Sequence, residues 1–108
     1  MKDRIYIDPE VVSESIEVYG KDQQSTVCME ECAELIQAIS KMKRGKHDLD
    51  NLAEEMADVY ICLDMLQKMY RITDNHIQNY IDYKQSRMNS RIREEKNFKE
   101  FEKGAEID

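Results

Sequence analysis

The sequence predicts an all-α fold of four helices that completes its bundle by oligomerisation. Three observations carry that expectation. Apolar residues recur at helical spacing, with no sustained period-two alternation; Gly occurs three times and Pro once; and the few breakers fall between the periodic segments. A strand stays open only near residues 4–7. At 108 residues and 12.8 kDa the chain is expected to be a single domain, 1–108, with residues from about 90 forming a charged extension of the last helix. A core of that size is modest, and pairing with further copies would extend it.

Asp8 followed by Pro9 reads as an N-cap and first helical position, and Gly20 as a stop, giving a first helix over residues 9–19. Its packing face is expected to be Val11, Val12, Ser15, Ile16 and Tyr19. The second helix should begin at Asp22 or Gln23 and end around Lys43, where Arg44 and Gly45 break the pattern. A polar link over residues 46–51 offers Asp48 or Asp50 as the cap of a third helix running to about Arg71. Thr73 or Asp74 caps a long fourth helix that opens with Ile77, Tyr80, Ile81 and Lys84 and runs into SRMNSRIREEKNFKEFEKGAEID.

Four acids occupy positions where a buried helix face should carry apolar side chains. At about 100° per residue, Glu31 falls within the stripe of Val27, Leu35, Ala38 and Met42, with Glu34 beside it. Glu55 lies on the stripe of Leu52, Val59, Cys62, Leu66 and Met69, with Asp58 beside it. A shift of 24 positions, the separation of Glu31 from Glu55, lays Glu30, Glu31, Glu34, Leu35, Ala38, Ile39 and Met42 on Glu54, Glu55, Asp58, Val59, Cys62, Leu63 and Leu66. Most acids on a chain this charged are simply solvated, and Glu30 and Glu54 fit that description. Converging inward acids cost several kcal/mol each unless neutralised, which points to a divalent cation. A short link makes the two helices antiparallel neighbours, and a small stagger would bring the two pairs level.

The formal charge of −7 argues against a nucleic-acid backbone binder, and no apolar run reaches the roughly 20 residues of a membrane span. Cys28, Cys32 and Cys62 lack paired zinc-ligand spacing and read as reduced core residues, which suggests a cytoplasmic protein. A soft-metal site of Cys28, Cys32 and His47 would lack a fourth ligand.

EECAEL followed by EEMADV, with Glu31-x-x-Glu34 and Glu55-x-x-Asp58 flanking the basic loop KMKRGK, resembles the MazG-like nucleoside triphosphate pyrophosphohydrolases over residues 24–69. That resemblance implies hydrolysis of a (d)NTP between its α and β phosphates to a (d)NMP and pyrophosphate, in nucleotide-pool housecleaning. It implies Mg²⁺, or Mn²⁺, held by Glu31, Glu34, Glu55 and Asp58, which would also be the catalytic residues, and assembly as a homo-dimer or homo-tetramer. Lys84, Arg87 and Arg91 become candidates for the triphosphate, joined by Lys43 and Arg44, and Gln24 a candidate for the base pocket. Tyr19, Tyr60 and Tyr80 could stack on a base. The alternatives are a phosphoribosyl-ATP pyrophosphohydrolase and a non-catalytic helical interaction module.

Overall fold

The computed structural model describes residues 4–107. Among them are four helices and no strand: α1 (Pro9–Tyr19), α2 (Lys21–Lys43), α3 (Leu49–Tyr70) and α4 (Asp74–Ile107). Residues 4–7, where a strand was open, belong to neither element type. Asp8 caps α1 by accepting from the Glu10 N–H at 3.0 Å, and Gly20, at φ 88°, ends α1 with its own N–H on the Ile16 carbonyl before α2 begins. That positive φ is strained for any side chain, which explains a glycine there.

The turn between α2 and α3 is built from local hydrogen bonds. The Lys46 N–H reaches back to the Lys41 carbonyl at 3.0 Å and the Gly45 N–H to the Met42 carbonyl at 3.1 Å, with Gly45 at φ 85°. This is the paired closure that ends a helix on a left-handed glycine. Asp48 then accepts from the Asn51 N–H at 2.9 Å and starts α3. At the far end Arg71 adopts φ 55°, a left-handed stop made without glycine. The Thr73 hydroxyl accepts from the His76 N–H at 3.1 Å at the start of α4.

The chain divides into two compact units, one ending at Ile72 and the other beginning at Thr73. In the first, α2 and α3 form the principal pairing and α1 lies against both. Its core is Val12, Cys28, Cys62, Met65 and Met69, edged by Ile7, Ile16 and Leu66, with Ala38 also buried. This core is thin, for no large side chain among the described residues is completely enclosed. The second unit is the single helix α4, whose described side chains are exposed along its whole length. No helix among the described residues is long and apolar enough to cross a membrane.

Three packing expectations need correction. Val11 and Tyr19 are exposed rather than part of the α1 packing face, which narrows to Val12, Ser15 and Ile16. Val11 lies one position, about 100°, off the buried line through Val12, and Tyr19 sits in the last turn, just before Gly20 diverts the chain. Cys32 is exposed while Cys28 and Cys62 are buried. It follows Glu31 by one residue and so leaves the α2–α3 seam.

Candidate functional site

Helical periodicity puts Glu31 and Glu34 one turn apart on α2, and Glu55 and Asp58 one turn apart on α3. Because the helices run antiparallel, the pairs meet in reverse order. Glu31 faces Asp58 across the seam, and Glu34 faces Glu55. One oxygen from each of the four lies within 4.8 Å of the others. Approximate two-fold symmetry explains the match with the internal repeat. A shift of 24 positions turns the contact between residues 31 and 58 into one between residues 55 and 34, as a self-complementary pairing requires.

Electrostatics follow from that crowding. Burial pushes the Glu31 carboxyl up to about 7, and the hydrogen bond and charge of Asp58, then the charges of Glu34 and Glu55, add to the effect. Burial also raises Glu55, reinforced by the charge and hydrogen bond of Glu34 and by the charges of Asp58 and Glu54. Like carboxylates held together in a partly dry seam disfavour ionisation, whereas a divalent ion reverses that preference. Glu31 Oε2 and Glu55 Oε2 are buried without a hydrogen-bond partner among the described residues. Such orphaned acceptors are rare unless something else satisfies them, and an all-carboxylate donor set suits a hard cation such as Mg²⁺. The residues present therefore fit a divalent metal.

A pH dependence follows for the metal-free protein. With its folded value raised from 4.5 to about 7, Glu31 contributes stability that is complete below pH 4.5 and is lost as pH rises through 7. Thermal unfolding in chelator should show wild type losing stability relative to Glu31→Gln across that window. A difference that stays constant with pH would mean that the carboxyl is not perturbed.

The other candidates lie elsewhere. Gln24 is buried, with its side-chain amide donating to the Ser15 hydroxyl of α1. Lys43 ends α2 and Arg44 caps it, both exposed beside the turn. On α4, Lys84, Arg87 and Arg91 are exposed, with the Arg87 guanidinium 5.7 Å from the ring centre of Tyr83. Glu30 and Glu54 are exposed. Of the tyrosines singled out from the sequence, Tyr19, Tyr60 and Tyr80 are all exposed. The aromatic that lines an apolar groove in the first unit is instead Tyr70, which hydrogen-bonds Ser25 at 2.8 Å and carries the Lys21 ammonium 4.3 Å above its ring. The antiparallel register that pairs residue 31 with 58 also brings the start of α2 to the end of α3. That register was the signal that could have found Tyr70.

Residues 21–92 match the MazG nucleotide pyrophosphohydrolase domain. No curated protein and no solved structure gives a significant match. The matched span holds all four clustered carboxylates and both helices that carry them. Since it covers well over half of the chain, this protein belongs to the MazG nucleotide pyrophosphohydrolase family.

Proposed function

We propose that the chain is a Mg²⁺-dependent nucleoside triphosphate pyrophosphohydrolase that converts a (d)NTP to a (d)NMP and pyrophosphate and serves nucleotide-pool housecleaning. The observation that carries this reading is the convergence of four carboxylate oxygens within 4.8 Å, two of the acids having an orphaned buried oxygen. Family membership supports the general activity. The cluster supports the metal.

In this reading Glu31, Glu34, Glu55 and Asp58 hold the ion between α2 and α3. Bound Mg²⁺ supplies charge neutralisation at phosphate oxygens and a lower pKa for the attacking water. The chain's own part is to fix the carboxylates on two rigid helices, so that little reorganisation is needed as charge develops. Glu34 is the exposed member of the four. That exposure gives it the access to solvent a proton acceptor needs, and Glu31 is the other acid that could take the water's proton. Lys84, Arg87 and Arg91 are assigned to the triphosphate, with Lys43 and Arg44 as further cations and Gln24 toward the base. Spacing of three and four residues gives Lys84, Arg87 and Arg91 one shared helix face, which suits several phosphate oxygens at once.

A homo-dimer or homo-tetramer belongs to the same proposal. Support comes from the thin core and from Met29 and Ile36, which are 73% and 67% exposed on α2. We further infer one functional domain over residues 1–108, because the family match runs through the boundary at Ile72. A cytoplasmic location fits the free thiols of Cys28, Cys32 and Cys62, and the acidic composition fits a protein without a nucleic-acid partner.

The test is product analysis over a nucleotide panel with Mg²⁺. The expected products are a nucleoside monophosphate and pyrophosphate in equal amounts. Release of inorganic phosphate with a nucleoside diphosphate would reject the assigned bond, and turnover of phosphoribosyl-ATP alone would favour the sibling substrate.

A further inference from the structure

The pairing that brings the carboxylates together also faces two thiols that the reaction does not use. Cys28 on α2 and Cys62 on α3 are each 3% exposed and belong to the same core cluster. The Cys28 thiol reaches across the seam and donates to the Cys62 carbonyl oxygen at 3.6 Å. Cys28 precedes Glu31 by three residues and Cys62 follows Asp58 by four, so the thiol layer stacks one helical turn from the acid layer on both helices.

We propose that Cys28 and Cys62 form an oxidisable dithiol, which a small disulfide oxidant closes into a covalent bridge between α2 and α3 beside the carboxylate cluster. Access comes from the apolar groove of about 630 Å³, whose wall includes Cys28 together with Met29, Cys32, Ile36, Leu66 and Tyr70. Burial, and then the hydrogen bond from Cys28, pushes the Cys62 thiol up to about 12. Cys28 lines the groove and Cys62 lies behind it, so Cys28 is the sulfur that the oxidant meets first.

The exchange balances as follows. Cys28 loses its proton to solvent and its sulfur attacks one sulfur of the oxidant, forming a mixed disulfide and expelling a thiolate. Cys62 then loses its proton, its sulfur displaces the second thiolate from Cys28, and the two released thiolates take up the two protons. The protein gives up two electrons and the oxidant is reduced to two thiols. The closed ring links residues 28 and 62 and constrains the unfolded chain, so the bridged protein should be more heat-stable than the reduced one.

The experiment uses the full-length Cys32→Ser variant, which removes the exposed thiol and keeps the core pair. Folded protein is incubated with millimolar oxidised glutathione. Intact mass is expected to fall by about 2 Da, proteolysis to yield one linked pair of peptides containing Cys28 and Cys62, and dithiothreitol to reverse both changes. The apparent Tm should rise by roughly 10 °C or more and be independent of protein concentration. Adding Cys62→Ser should abolish the mass loss. The proposal is overturned if the folded protein keeps both thiols while the urea-unfolded chain oxidises, or if the bridge forms but lowers the Tm. None of these readouts depends on turnover, so they separate this dithiol from the fate of the proposed hydrolysis.

Discussion

Replacing Glu34 by Gln, or Asp58 by Asn, is expected to lower pyrophosphate release roughly 10²–10³-fold, corresponding to about 3–4 kcal/mol of lost transition-state stabilisation. Each substitution keeps the side chain's volume and hydrogen-bonding shape while removing one negative charge from a cluster whose oxygens lie within 4.8 Å of one another. In the proposed site that charge holds the ion, so its loss acts on the chemical step and on metal affinity together. The fold should respond in the opposite direction. In metal-free buffer each variant relieves like-charge repulsion on Glu31 or Glu55, the two acids whose carboxyls burial raises first and the neighbouring acids raise further. The expected signature is activity lost with apo thermal stability equal to or above wild type. Unchanged turnover in both variants would reject the assignment of these residues, and a parallel drop in apo Tm would reveal structural damage instead.

Saturating Mg²⁺ is expected to raise the Tm of the wild-type protein by roughly 10–20 °C at a concentration near 100 times its Kd, from mass action of about 2.7 kcal/mol on a domain of this size. Two orphaned oxygens, Glu31 Oε2 and Glu55 Oε2, would gain a partner on binding. The response should shrink as pH falls below 7, because the ion must displace the proton that Glu31 holds in the apo state. Combining Glu55→Gln with Asp58→Asn should abolish it. Differential scanning fluorimetry across Mg²⁺ concentrations and pH measures all three effects, and no shift at millimolar Mg²⁺ at pH 8 would remove the metal from the proposal.

Sequence alone reached the helix ends closely. Asp8 with Pro9, Gly20, Gly45 and Thr73 act within a few residues of themselves, through caps and left-handed stops that depend on local backbone geometry. The end of α3 also falls where it was expected, at about Arg71, although a non-glycine residue takes the left-handed position there. The shared face of the four acids was equally legible, because a 3.6-residue period assigns each side chain to a helix face without knowledge of what that face meets.

What only tertiary structure decided was the register of one helix against the other. The sequence left the stagger of α2 and α3 open, and packing set Glu31 opposite Asp58 and Glu34 opposite Glu55. The same register aligned Cys28 with Cys62 and brought Tyr70 to Ser25. Helical periodicity is a property of neighbours along the chain. Register is instead the sum of many weak contacts between residues some 30 positions apart, constrained by one short turn, and no single residue announces it.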